Sequence, residues 1–222
     1  MSLRCAIHQP NFLPWEGFFD KMGKCDVFVL LDTVQYENNG YTNRTLIRSE
    51  LGKKWLSFSI KHNYPQLIKD VKFANFKEDR DRILDIIRNN YRDANGFKTV
   101  YPILHQMMQG DYEYLSEFNI KLIKDLATGL KNKPEIKIAS EYDFKGESTD
   151  RLIDICNHFK ADTYLSGIGA KDYQEKQKFK DACITLEYNN FSQLPYKQQW
   201  GDDFIPGLSL IDKLLNSIYL IT

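Results

Sequence analysis

The run Asp26-Val-Phe-Val-Leu-Leu-Asp32 sets the strongest limit on the fold. It places five apolar residues in succession with no polar alternation. A strand with one wet face would alternate, so this one reads as buried on both faces, as strands of a parallel sheet are. Upstream, residues 3–8 (Leu-Arg-Cys-Ala-Ile-His) read as a first strand, and residues 12–25 as a helix entered through Pro14, since proline suits a first helical turn. Strand, helix and strand within about 30 residues form a βαβ unit.

Further along, residues 46–48 and 54–60 flank a turn at Leu51-Gly52 and read as a hairpin, with one more short strand at 71–73. The texture then turns helical: the spacing predicts helices over 77–92, 97–108 and 112–130. The chain is therefore expected to be one domain over 1–222, with 77–132 as a helical insertion or subdomain. After a strand at 135–140, helix and strand alternate again. The helices fall at 151–159 and 171–180, and the strands at 161–167 and 183–188. A last helix spans 209–220, with Ser209 as its N-cap. The fold class is α/β, a Rossmann-like and mostly parallel sheet with a hairpin and a helical insertion.

Composition narrows the function classes. Lys plus Arg and Asp plus Glu stand at 30 each, so there is no basic footprint for nucleic acid. No apolar run approaches the roughly 20 residues of a membrane-spanning helix. Cys5, Cys25, Cys156 and Cys183 show no paired spacing, which fits a reduced, cytoplasmic protein.

In open parallel sheets, ligands bind outside the carboxyl ends of the strands. That rule gathers His8, Gln9, Asp32 and Gln35 around one crevice, joined by the second strand–helix turn at Ser166-Gly167. His8 at a strand end suits a general base or an anion contact; its structural alternative is a satisfied core histidine. Gln9 and Asn11 offer donors and acceptors on the same loop. Asp32 suits a sugar hydroxyl, a metal or an amine, or else simply caps a turn. Asn43 and Arg44 suit phosphate; the alternative for Arg44 is a solvated loop charge. The glycines after Ser166 suit a phosphate cradle, without a Walker pattern. His62, His105 and His158 lack metal-ligand spacing, so no metal site is expected.

These residues also carry a resemblance. The segments Ile7-His-Gln-Pro-Asn-Phe-Leu-Pro-Trp-Glu-Gly-Phe-Phe-Asp-Lys21, Asp26-Val-Phe-Val-Leu-Leu-Asp-Thr-Val-Gln35, Asn43-Arg44, Trp55-Leu56, Tyr164-Leu-Ser-Gly167, Tyr173, Tyr196 with Gln198 or Gln199, and Leu208-Ser-Leu-Ile-Asp212 resemble the WbqC-like proteins. Those proteins are found with genes for O-antigen and other surface polysaccharides. The resemblance runs nearly from end to end. It implies an acyl or aminoacyl (glycyl-type) transferase that forms an amide on a nucleotide-linked amino sugar. His8 and Asp32 would then be catalytic. Gln9, Asn11, Trp15, Gln35, Tyr36, Asn43, Arg44, Ser166, Gly167 and Tyr173 would bind substrate. No cofactor is evident beyond a nucleotide or acyl donor.

A second likeness is local. Pantothenate synthetase, an ATP-dependent amide ligase, has a similar opening and a Gly-x-Lys-Asp-Tyr-Gln run like Gly169-Ala-Lys-Asp-Tyr-Gln174. Its nucleotide-handling His-x-Gly-His stands here as Trp15-Glu-Gly-Phe18, without either histidine. Three readings stay open at this point: the transferase, a non-catalytic sugar-nucleotide binder of the same pathway, and an ATP-using ligase.

Overall fold

The computed structural model describes residues 2–171 and 174–217. Its centre is a five-stranded parallel sheet built from β1 (Arg4–His8), β2 (Val27–Leu30), β7 (Glu135–Ile138), β8 (Thr163–Gly167) and β9 (Thr185–Asn189). Across the sheet the order is β7-β2-β1-β8-β9. Counted along the chain, these five strands therefore lie third, second, first, fourth, fifth. The walk leaves β1 in one direction and later returns to its other side, so β1 and β8 flank the topological switch point of a doubly wound sheet. β1 pairs with β2 from Cys5↔Val27 to His8↔Leu30, and with β8 from Arg4↔Thr163 to Ala6↔Leu165.

Both faces of the sheet are covered, as the unbroken apolar run requires. Ala6, Phe28 and Leu30 point to one core with Phe18, Phe19 and Met22 of α1 (Glu16–Met22). Cys5, Ile7, Val27 and Val29 point to the other. There they meet Ile155 and Cys156 of α5 (Ser148–His158) and Phe179 of α6 (Lys176–Asp181). Neighbouring residues on one strand thus serve opposite cores.

Between β2 and β7 the chain makes two antiparallel pairs, β3 (Arg44–Ser49) with β4 (Gly52–Ser57) and β5 (Ile60–Lys61) with β6 (Lys72–Phe73). Gly52 sits at the hairpin turn with φ +95, a left-handed geometry glycine adopts freely. Three helices follow, α2 (Phe76–Tyr91), α3 (Phe97–Met107) and α4 (Leu115–Ala127). Their buried side chains, Ile83, Ile87, Leu104, Phe118 and Leu122 among them, belong to the same core as Ala6 and Phe28 of the sheet. No described helix is long and apolar enough to cross a membrane. The cysteines are free, with Cys5, Cys25 and Cys156 buried and Cys183 exposed.

Some boundaries differ from the sequence expectation. α1 begins at Glu16 rather than at residue 12, because Leu13 takes φ 40 and Trp15 is extended, which rules out a continuous helix there. α6 begins at Lys176 rather than 171, after a short 3-10 turn at Ile168–Ala170. The last helix, α7 (Leu210–Asn216), is capped by the Ser209 side chain as expected. Residues 218–220 of that expected helix lie outside the described residues.

Candidate functional site

The loop joining β1 to α1 has almost no structure of its own, yet its carbonyls are bonded one after another. The Pro10 carbonyl accepts from Asn119 Nδ2 at 2.8 Å. The Leu13 carbonyl accepts from both Thr45 Oγ1 at 3.0 Å and Ser209 Oγ at 2.7 Å. The Pro14 carbonyl accepts the Leu210 amide at 2.9 Å, and the Phe12 amide donates to the Tyr41 carbonyl at 3.0 Å. Buried backbone groups must find partners. Here they find them in segments 30 to nearly 200 residues away, which fixes the loop from outside.

That loop walls a cavity of about 460 Å³ at the carboxyl ends of β1 and β8. It is lined by His8 at the end of β1, Gln9 and Trp15 from the loop, Lys21 from α1, Ser166 through Ala170 at the end of β8 and beyond it, and Asn189 at the end of β9 with Phe191 beyond it. His8 is half-buried. Its Nδ1 lies 3.0 Å from the Gln9 carbonyl. A carbonyl only accepts, so Nδ1 carries the proton and Nε2 keeps a lone pair with no partner among the described residues. The ring meets Phe18 edge-on at 4.8 Å. Burial, and then the Lys21 ammonium, pull the imidazole down from 6.5 to about 3, so it is neutral at ordinary pH.

Lys21 is only 3 % exposed. Its Nζ donates to the Ile7 carbonyl at 3.0 Å and lies 5.8 Å from the Phe28 ring centroid. Burial lowers it from 10.5 to about 8. At the rim, Lys24 Nζ bonds Asp20 Oδ2 at 2.6 Å and Asn189 Oδ1 at 3.0 Å, and Asn189 Nδ2 returns to Asp20 at 2.9 Å. Trp15 is 40 % exposed and packs edge-on against Phe191 at 5.5 Å. Its indole folds back over Gly17, where a Cβ would come within 2.4 Å of the ring. That explains the Trp-Glu-Gly spacing. Gly167 and Gly169 show the opposite pattern. Nothing lies within 4 Å of a Cβ placed on either, so no packing requires a glycine there.

A second hollow of about 550 Å³ adjoins the first, and Leu31, Leu152, Tyr164 and Ala170 line both. Its polar wall includes Thr33, Gln35, Thr149, Arg151 and Gln174. Ser166 is fully buried and accepts from Gln174 Nε2 at 2.8 Å, which ties the two hollows together.

The structure brings His8, Gln9, Trp15, Ser166 and Gly167 into one cavity and Gln35 into its neighbour. It separates the rest. Asp32 is 2 % exposed, and its carboxylate accepts from the Ser140 amide at 2.9 Å and Ser140 Oγ at 2.6 Å. This carboxylate ties the end of β2 to the turn after β7, and it lines a different hollow with Lys69 and Lys124. The shared crevice expected for His8 and Asp32 is therefore corrected.

The 36–44 loop is likewise closed on itself. Tyr36 OH donates to Asn43 Oδ1 at 2.9 Å and Asn43 Nδ2 to the Phe58 carbonyl at 2.9 Å. The Arg44 guanidinium donates to the Gly40 and Asn39 carbonyls and stacks 4.1 Å from the Trp55 centroid. These groups are spent on the loop, and none of them lines either hollow. Tyr36 is also 4 % exposed, which leaves no face for a stacked ligand. Asn11 is half-buried and does not line the cavity. Tyr173 lies outside the described residues. Lys21 and Asn189 carry no motif in the sequence, where both read as ordinary helix and strand-end residues. A lysine at Lys21 inside the apolar face of α1, beside Phe18 and Met22, was the available signal. Among the described residues no three His, Cys, Asp or Glu side chains gather as a metal site.

Another cluster explains residues near the C-terminus. Asp212 is fully buried and accepts from Tyr196 OH at 2.7 Å, the Arg48 amide at 3.1 Å and Tyr91 OH. Gln198 joins it through Nε2, and its Oε1 takes Arg48 Nη1 at 3.0 Å. This network clamps the 196–205 loop and the hairpin onto α7, away from the cavity.

Comparison with known proteins matches the chain to the WbqC-like protein family over residues 9–218. The chain is 26% identical over 219 residues to the uncharacterized protein Rv1507c of Mycobacterium tuberculosis, covering 96% of this chain and 93% of that one. No solved structure matches the chain.

Proposed function

The chain belongs to the WbqC-like protein family, and on that premise we propose that it transfers an acyl or aminoacyl group to the amino group of a nucleotide-linked amino sugar. The product is an amide destined for a surface polysaccharide, and the nucleotide-linked substrate makes the reaction cytoplasmic. One observation carries this reading. A neutral His8, its Nδ1–H held by the Gln9 carbonyl, leaves Nε2 as an acceptor at a cavity by the switch point of the sheet.

In this mechanism the sugar amine donates to His8 Nε2 and attacks the acyl carbonyl carbon. The carbon–nitrogen bond forms, and the carbonyl oxygen takes the negative charge. The amine proton passes through His8 to the leaving group as the donor's acyl bond breaks and the carbonyl reforms. His8 binds a proton weakly, so it relays the proton rather than storing it. Gln9 supplies a donor and an acceptor for sugar hydroxyls. Trp15 and Phe191 offer aromatic faces at the mouth. The adjoining hollow beside Gln35, Thr149 and Arg151 takes the other part of the reacting pair.

The test is to incubate the purified protein with nucleotide-linked amino sugars and acyl or aminoacyl donors, and to follow the sugar by mass spectrometry. The expected result is an added acyl mass, reduced about 100-fold or more by His8→Ala. Normal binding of the nucleotide sugar with no product from any donor overturns the transferase reading. Product that appears only with ATP, with phosphate or pyrophosphate released, replaces it with the ligase.

A further inference from the structure

Lys21 has no role in the reaction just described, and its surroundings do not account for it. It lies 3 % exposed on the apolar side of α1 and lines the same cavity as His8. The Nζ has three N–H groups when charged, and among the described residues only the Ile7 carbonyl receives one. The two acids of α1 are both engaged elsewhere. Asp20 is paired with Lys24, and Glu16 with Lys213.

Among the described residues the other titratable groups facing Lys21 bring no negative charge. Cys25 and Cys5 are held as thiols, Cys25 by burial that pushes it up to about 12 and Cys5 by the Cys156 side chain and burial. His8 is neutral. A buried ammonium without a counter-charge is costly, and a methionine would fill the same space without that cost. The arrangement makes sense once the cavity is filled by an anion. The lining agrees: Gly167 and Gly169 add no side chain to the cavity, and the walls other than Lys21 are mainly neutral.

We infer that Lys21 is the anion-pairing residue of this cavity, and that a reactant brings a phosphoryl or carboxylate oxygen to its Nζ. The inference rests on the His8 cavity being the substrate site. The bond is an N–H···O contact from the ammonium to the anionic oxygen, made as the ligand displaces solvent. It stabilises the charged form of Lys21, so anion binding and protonation of Lys21 reinforce each other.

The experiment is an NMR titration of the full-length protein with ¹³Cε-labelled lysine, with the Lys21 signal assigned from its loss in Lys21→Met and, independently, in Lys21→Arg. Without added anion the signal titrates near 8. Saturation with inorganic phosphate or with acetate raises that midpoint by about one pH unit or more, which corresponds to a tenfold coupling. A response to phosphate alone identifies a phosphoryl oxygen, and a response to acetate alone a carboxylate. Lys24→Met, at the rim, leaves the response intact. A midpoint that neither anion moves overturns the inference. Acyl transfer that proceeds in Lys21→Met with unchanged KM overturns it too, while leaving the transferase reading in place. If the anions move Lys21 and no acyl transfer is found, the transferase reading falls and the anion site stands.

Discussion

Among the described residues no acid stands between His8 and Lys21 in their shared cavity, and the Lys21 ammonium adds to burial in weakening the hold of His8 on a proton. The folded pKa of His8 lies at about 3, below its ordinary 6.5. Unfolding between those values takes up a proton, so stability falls as pH drops below 6.5 and the loss is complete below 3. His8→Asn keeps a side-chain donor for the Gln9 carbonyl but does not titrate. Wild type should therefore lose about 3 kcal/mol relative to His8→Asn between pH 6.5 and pH 3, with allowance for partial solvent screening. Urea unfolding of both proteins across that range checks it, and parallel pH curves contradict it. Gly17 gives a second prediction at this scale. Gly17→Ala forces the Trp15 indole off its seat, so the variant should keep the fold, shift its tryptophan fluorescence and bind the nucleotide sugar more weakly.

At the scale of elements, the β1–α1 loop is the part that other segments build. Thr45 and Ser209 both donate to the Leu13 carbonyl. Thr45→Val should cost about 1 kcal/mol and Ser209→Ala about 2 kcal/mol, since it also loses the cap of α7, and the double variant more than their sum, because the carbonyl is then buried without a partner. Chemical denaturation measures all three. Asp212→Ala removes the acceptor for Tyr91, Tyr196 and the Arg48 amide together and should cost about 3 kcal/mol without altering the cavity chemistry.

Elements were legible in the sequence where burial writes a local pattern. The run at Val27–Leu30 showed a two-sided strand, and Ser209 showed a helix start. Local pattern could not show that Leu13 turns left-handed, because the groups that hold it there lie on β3 and before α7. For the same reason Asp32 read as a site residue. Its partner Ser140 is a neighbour only once β7 has docked beside β2. Asn43 and Arg44 read as a phosphate loop because sequence alone does not reveal which backbone carbonyls close on them.

At the scale of the whole molecule, the strand order decides where chemistry collects. The chain leaves β1 toward β2 and β7, and returns to its other side with β8 and β9. The two directions open a crevice at the ends of β1 and β8, into which two adjoining hollows of about 460 and 550 Å³ fit. Together they suit a reaction with two partners better than either suits a single small ligand. A third hollow beside Asp32, Lys69 and Lys124, of about 620 Å³, is larger but stands away from the switch point. Size alone would favour neither it nor the crevice, since a hollow beside Phe76 and Tyr112 reaches about 760 Å³, whereas topology and the unshared Nε2 of His8 favour the crevice.

The central claim is that substrate sits above His8 at the switch point. A crystal structure of the protein with a bound nucleotide-linked amino sugar tests it most directly. The account predicts the sugar amine within hydrogen-bonding distance of His8 Nε2, with the ligand running past Ser166 and Gly167. A ligand seated instead beside Asp32 and Lys69, with the His8 cavity empty, would contradict it.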